Sequence, residues 1–286
     1  MKMKIPLSIR LIGLGVALLL LPSCERQTSQ TNQTVQTSAL DRIQSRGEMH
    51  VGYLVWPPCV LRDEKTGEMS GIFPDMVTQI ATNLNVKVVW EETTLANFAA
   101  GLNSGQFDFS VGPSFVTVPR AAAVKFTQPI CFVGNSAVVK TSGTFKPQSL
   151  EDLNSPNVKI ATLQGQVLDE FCRRNLPKAQ LLVLSGGDLT APLVAVSSGQ
   201  ADIGFMNSVT VAKYTAAHPE VQAVFMGDQQ VEILPLSWAT TGNDSRLKDF
   251  LDASITYLKA TGRLAEYQKK QPIALLYDTP RLHPAQ

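Results

Sequence analysis

Short β-like runs alternate with helical stripes, and the alternation occurs twice along the chain. In the first half, His50 to Trp56 reads as a strand stopped by Pro57 and Pro58, so it ends in a rigid loop carrying Trp56. After the Thr66-Gly67 turn, Met76, Val77, Ile80, Ala81 and Leu84 recur at helical spacing over 73–84, and Val86 to Trp90 follows as the next strand. Leu95 to Leu102 repeats a helical face, Asn103-Ser104-Gly105 breaks it, and Phe107 to Val111 returns as a strand. Strands separated by helices pair in parallel and need helical cover on the sheet, so this half is an α/β lobe.

A second set begins after Ile130. Val138-Val139 is strand-like, Ser149 to Leu153 is a short capped helix, and Val158 to Ala161 is a strand leading into the turn Leu163-Gln164-Gly165. A helix over 168–175, a strand over 180–184, a helix over 189–198 closed by Gly199, and a buried strand over 203–206 complete the pattern. From Ser245 the tail carries Leu247, Phe250, Leu251, Ile255 and Leu258 on one helical stripe, then Gly262 and a further helix through Lys270. No internal repeat is evident.

The amino terminus belongs to neither lobe. Basic Lys2, Lys4 and Arg10 precede the uncharged run from Ile12 to Leu21, which is short for a membrane span, and Pro22-Ser23-Cys24 follows. This order resembles a bacterial lipoprotein signal with Cys24 as the lipidated residue. Cleavage before Cys24 removes residues 1–23, and two acyl chains, at about 0.8 kcal/mol per buried methylene, suffice for stable anchoring. The expected mature chain is then held at a membrane outside the cytoplasm, periplasmic or at the cell surface. Residues 24–38 follow as a polar tether with one aliphatic side chain beyond the cysteine, too little to offset ordering.

Of 25 basic residues, three lie in the signal, which leaves 22 against 24 acidic ones. No basic stripe interleaved with aromatics is present, so nucleic acid is not an expected partner. With Cys24 assigned to lipid, Cys59, Cys131 and Cys172 remain in an oxidising compartment, enough for one internal disulfide. Three histidines and no Cys-x-x-Cys give no basis for a metal site, and no cofactor is expected.

Several local signals fall in a fixed order: Val51-Gly52 with Trp56-Pro57-Pro58, Gly71 to Asp75, Leu102 to Asp108, Thr117 to Arg120 and Val124 to Pro129. The second half adds Ser149 to Leu153, Ile160 to Gly165, Leu193 to Asp202 and the helices around Gly262. The set resembles the family 3 extracellular solute-binding proteins over nearly the whole mature globule. That resemblance implies a periplasmic-binding-protein-like fold of type II, with two α/β lobes, a ligand cleft between them and two crossover hinge segments. The crossovers are expected near 128–134 and 231–235, lobe 1 over 39–130 and 235–286, and lobe 2 over 131–234.

The resemblance also assigns a site. Arg120 of the Thr-x-x-Arg stretch is expected to grip a ligand carboxylate through two parallel charge-assisted hydrogen bonds. Trp56 corresponds to an aromatic residue that stacks on the ligand, and Leu95 to an apolar wall. Three positions depart from the amino-acid-binding pattern. Phe115 stands where Ser or Thr is usual, with Ser114 beside it. Gln166 replaces a hydroxyl donor. Asn207 occupies the position of an Asp that faces an α-ammonium. An Asn satisfies a neutral partner but leaves a buried ammonium without its counter-charge, so the expected ligand is an anion lacking a free α-ammonium, or one whose amine is met elsewhere. Within the same arrangement Cys59 and Cys131 lie near the hinge and can be bridged, leaving Cys172 as a thiol.

The function expected from this resemblance is that of a monomeric, lipid-anchored receptor delivering a small carboxylate, amino-acid-like or organic acid, to the transmembrane subunits of an ABC permease, with no catalysis. Two alternatives stay open: a cyclohexadienyl or arogenate dehydratase-like enzyme, since this fold also hosts that activity, and a ligand-sensing accessory protein. Dehydration needs a general acid near the leaving hydroxyl, and no carboxylate can be placed in the cleft from the sequence.

Overall fold

A computed structural model describes residues 37–270 and the short strand at 276–277. The signal, Cys24 and the tether up to residue 36 lie outside the described residues. Among the described residues no helix is long and apolar enough to cross a membrane.

The first lobe opens with α1 (Ala39–Arg46), which the hydrophobic pattern did not announce. Ser38 caps it by accepting from the Asp41 amide, and Gly47 ends it in the left-handed region at φ 73°. β1 (Glu48–Tyr53) lies between β4 (Lys87–Glu92) and β5 (Phe109–Val111), both parallel to it. The sheet continues through β13 (Ala239–Thr241) to β6 (Val124–Phe126), and a small hairpin of β2 (Leu61–Arg62) and β3 (Met69–Ser70) stands apart. α2 (Ile72–Leu84) carries the anticipated apolar face.

Phe107 packs where a Cβ on Gly52 or Gly101 would come within 2.6 or 2.5 Å of its ring, so α3 (Phe98–Ser104) and β1 approach through glycine. Asp108 ties β1 to α1: its carboxylate accepts from the His50 amide at 2.9 Å and pairs with Arg46 at 2.7 Å. α4 (Val118–Ala123) follows the loop after β5.

The second lobe is built on β7 (Cys131–Lys140), longer than the strand-like pair Val138-Val139 suggests. Its sheet runs β11 (Val221–Val224), β7, β10 (Ile203–Asn207), β8 (Lys159–Leu163), β9 (Gln180–Leu184). All five residues of β10 are buried. α6 (Ala191–Ser197) crosses it so closely that a Cβ on Gly204 would lie 2.2 Å from the Pro192 carbonyl oxygen. α5 (Val167–Asn175) and α7 (Ser208–Ala217) complete the cover. The segment Ser149 to Leu153, expected as a helix, forms only a 3₁₀ turn over Glu151–Leu153.

The two segments expected as crossovers run side by side. β12 (Val231–Leu236) pairs antiparallel with β7, placing Val231 opposite Asn135 and Leu236 opposite Cys131. A further bridge joins Phe115 to Leu236, and the Val116 amide donates to the Pro235 carbonyl. This ribbon is where a hinge between two lobes would bend. α8 (Ser245–Ala260) and α9 (Arg263–Lys270) return to the first lobe, where α9 packs on α2. The strand β14 (Leu276–Tyr277) pairs with β7 at Val133 and Phe132, within the segment expected as the first crossover.

Cys59 and Cys131, which the resemblance allows to be bridged, carry no disulfide in this structure. Both are buried. Burial pushes the Cys59 thiol well above the ordinary thiol range, and charge on nearby Cys131 would push it further. Cys172 is an unbridged thiol on α5, raised to about 12, first by burial and then by the charges of Asp169 and Glu232. Such thiols are inert rather than reactive.

Candidate ligand cleft

The loop after β5 and the turn after β8 meet between the lobes. Thr117 is the N-cap of α4 and accepts from the Arg120 amide, so the Thr-x-x-Arg spacing places the arginine one turn into a helix with its side chain toward the second lobe. The Arg120 guanidinium donates from Nη1 to the Phe115 carbonyl at 2.9 Å and from Nη2 to the Gly165 carbonyl of the opposite lobe. Its carbon lies 5.6 Å from the centre of the Phe98 ring. Among the described residues it has no carboxylate within ion-pair distance. Burial lowers its pKa to about 10, opposed only by the charge of Glu170.

Leu95, Phe115, Gln166 and Asn207 line this space with Arg120, together with Leu189 and Met206. The helix expected from Leu95 begins at Phe98, and the one expected from Leu189 begins at Ala191. Leu95 and Leu189 are therefore loop residues, and this allows them to face the cleft. Phe115 contributes in two ways: its side chain is a wall and its carbonyl holds Arg120. Met206 was legible as part of a buried strand, and its place near the end of β10 brings it to the cleft.

The second lobe supplies amides that are already engaged. Gln166 Oε1 accepts from the Leu163 amide at 3.2 Å, and its Nε2 donates to the Phe205 carbonyl at 3.4 Å and contacts Met206 sulfur at 3.1 Å. Asn207 is the N-cap of α7, its Oδ1 accepting from the Thr210 amide at 3.0 Å and from the Trp56 indole N–H at 3.2 Å. Asp202 accepts from the Lys159 amide at 2.8 Å at the start of β10, a strand-end role away from the cleft.

Two expected residues are not brought into the space around Arg120. Ser114 is fully buried and points away from it, and its hydroxyl has no protein partner; adjacent residues on extended chain face opposite ways, and Phe115 takes the cleft side. Trp56 is also fully buried, at the head of an aromatic series that runs through Phe73 (ring centres 6.0 Å apart) to Trp238 (6.3 Å) and Phe109 (5.5 Å). It spans the lobes through Asn207 instead of lining the arginine space.

The enclosed volume at Arg120 is about 10 Å³, the least that holds one water. The lobes are closed on their own side chains: Arg120 to Gly165 and Trp56 to Asn207 both cross from one lobe to the other. At Gly165, φ is +78° and a Cβ would lie 2.9 Å from the Ala96 backbone, so the contact depends on glycine twice over. A ligand larger than water enters only if these contacts open.

Two α/β lobes joined by a paired double crossover, with an arginine set between them, define a cleft-type binding protein. The chain belongs to the bacterial extracellular solute-binding proteins, family 3, whose model matches residues 49–271. It is 27% identical to the cyclohexadienyl dehydratase of Pseudomonas aeruginosa over 203 residues, 71% of this chain and 75% of that protein. It is 26% identical to the glutamine-binding protein of Geobacillus stearothermophilus over 212 residues, 70% of this chain and 79% of the other. Among solved structures it resembles an ancestral amino acid-binding protein, a precursor of cyclohexadienyl dehydratase, with TM-score 0.72, 28% identity and coverage of 82% of this chain and 99% of that one.

Proposed function

We propose that this chain is a lipid-anchored extracytoplasmic receptor that captures a small carboxylate-bearing solute between its lobes and delivers it to an ABC permease, with Cys24 as the lipidated residue. The observation that carries this reading is Arg120. A cation held by two neutral carbonyls and the face of Phe98, with no ion pair among the described residues, is poorly compensated. A ligand carboxylate offers its planar fork two charge-assisted bonds in place of those carbonyls. Leu95, Phe115, Leu189 and Met206 then surround the apolar part of the solute. Relatives that bind glutamine support the class of ligand, and the family fold supports closure around it.

The lining holds no carboxylate to meet an α-ammonium, and the Asn207 oxygen already accepts two hydrogen bonds. We therefore assign a carboxylate for which a free α-amine is not required. Native mass spectrometry of protein purified without unfolding tests this: a co-purified carboxylic acid that is lost from Arg120→Ala supports the reading. A ligand without a carboxylate, or one retained by the variant, contradicts it.

The dehydratase relative supports a second reading, in which the cleft turns over a cyclohexadienyl acid. That chemistry needs a proton donor at the leaving hydroxyl. Arg120, Gln166 and Asn207 are the polar side chains of the lining, and none is a general acid near neutral pH. Glu170 is exposed on α5 and reaches Arg120 only through its charge. Binding takes precedence over catalysis on this ground, and incubation with prephenate separates the two, since formation of phenylpyruvate would establish the enzyme.

A further inference from the structure

On the other side of Trp56 from Arg120 lies a larger cavity, of about 360 Å³, within the usual size range of small-molecule sites. Its walls come from both lobes: Val55, Trp56 and Pro57 from the first, the 187–190 loop and α7 from the second. Trp56 and Leu189 form the partition, since Leu189 borders both spaces. Neither the carboxylate-gripping role of Arg120 nor the family's closure of the lobes accounts for this cavity.

One wall is a preorganised aromatic platform. The Tyr214 and His218 rings stack with centres 4.0 Å apart and planes 14° from parallel. Each ring is fixed from behind: the Tyr214 hydroxyl is 2.8 Å from the Ser197 hydroxyl, and His218 Nδ1 is 2.9 Å from Glu220. Two χ angles held by stacking and hydrogen bonds leave little entropy to lose when a flat ring settles beside them. Lys213, the residue before Tyr214 on α7, lines the same cavity, is exposed, and has no acidic partner among the described residues. Asp188 also borders it, but its Oδ1 is held by the Thr190 amide and hydroxyl at 2.8 and 2.7 Å. A mainly apolar slot with one unpaired cation at its edge fits a single negative charge on a flat apolar body, while Asp188 disfavours a second negative charge.

We propose that this side pocket is a second binding site, separate from the arginine cleft, for a planar aromatic monocarboxylate, with Lys213 as its counter-ion and the Tyr214–His218 pair as its platform. An occupant touches both lobes at once and so stabilises the closed arrangement.

Calorimetric titration with 2-naphthoate and its neutral amide tests the assignment. The wild-type protein binds naphthoate more tightly than the amide. Lys213→Ala weakens naphthoate by about fivefold, the scale of one partly exposed ion pair, and leaves the amide unchanged. Ala217→Trp, which fills the pocket from an exposed helix end and is checked for folding by circular dichroism, removes binding of both. Arg120→Ala, which removes the Arg120–Gly165 contact between the lobes, changes acid and amide by the same factor, so the preference for the acid persists. The proposal is overturned if naphthoate does not bind, if Ala217→Trp binds it as the wild type does, if Lys213→Ala weakens acid and amide alike, or if Arg120→Ala removes the preference for the acid and so assigns the probe to the other cleft.

Discussion

The two halves of the cleft differ in what they still have to offer. The first lobe presents Arg120, a cation whose acceptors are neutral carbonyls, one of them borrowed from the opposite lobe. The second lobe presents Gln166 and Asn207, amides whose side-chain oxygens already accept from the Leu163 and Thr210 backbone and from Trp56. Charge recognition therefore resides on one side, and the other side closes over it. A side chain with satisfied partners gains little from a ligand, because it exchanges one hydrogen bond for another; an uncompensated charge gains much more.

Substitutions can break that asymmetry, and the largest effect is expected at Arg120. Arg120→Ala should cost the carboxylate ligand about 2–5 kcal/mol of affinity, the usual cost of truncating a buried charged partner. Thermal unfolding of the unliganded variant should stay near or above wild type, because the removed cation had no ion pair. A marked loss of unliganded stability would show that Arg120 serves the fold.

Gly165→Ala should come next. A non-glycine residue at φ +78° carries about 1–2 kcal/mol of strain, and its Cβ would press on the Ala96 backbone across the cleft. Ligand affinity should fall while the spectrum of each lobe persists, and small-angle scattering should report a more open particle. Unaltered affinity would mean that the bound form does not use this closed contact.

Asn207→Asp should act on specificity more than on affinity. Asp caps a helix as well as Asn, so α7 should survive, while the new carboxylate attracts an α-ammonium and repels a second ligand carboxylate. Preference should move toward amino acids in a thermal-shift screen. Gln166→Ala should matter least to the ligand, by about 0.5 kcal/mol or less, although it leaves the Leu163 amide unpaired and lowers stability by about 1–3 kcal/mol.

A pH effect follows from the same charge. Folding lowers the Arg120 pKa from the ordinary guanidinium range to about 10, so the protonated form is disfavoured in the unliganded protein, and the penalty is lifted only as pH rises from there toward the ordinary value. A bound carboxylate favours the protonated form and raises the pKa again. Binding measured near pH 10 to 11 should thus take up protons, visible as a dependence of calorimetric heat on buffer ionisation; no uptake would mean that the ligand does not meet Arg120.

The arginine was legible through the family resemblance of the ordered motifs, since Thr-x-x-Arg alone is a weak signal; the structure adds that the spacing makes a cap and a side chain one turn later. The elements α2, α5 and β10 were legible locally, each having a clear apolar period. α7 was not. Its Ser-Val-Thr-Val-Ala-Lys-Tyr-Thr-Ala-Ala run is rich in β-branched residues, and it is held as a helix by the Asn207 cap and by packing on β7 and β10. Residues Cys131–Asn135 and Val231–Leu236 give weak strand signals singly and form strands by pairing with each other. Ser114 faces away from Arg120 by the alternation of extended chain that turns Phe115 toward it, whereas Trp56 is held by Asn207 of the opposite lobe, which the local sequence does not encode.

The most direct test of the account is isothermal titration of the wild type and of Arg120→Lys with matched pairs that differ only at the α-position, such as an amino acid against its 2-hydroxy and 2-keto analogues. The account predicts that the wild type binds the hydroxy or keto acid at least as tightly as the amino acid, and that lysine, lacking the planar fork, loses most of that affinity. Tight binding that requires the free amine, or that survives in Arg120→Lys undiminished, would contradict it.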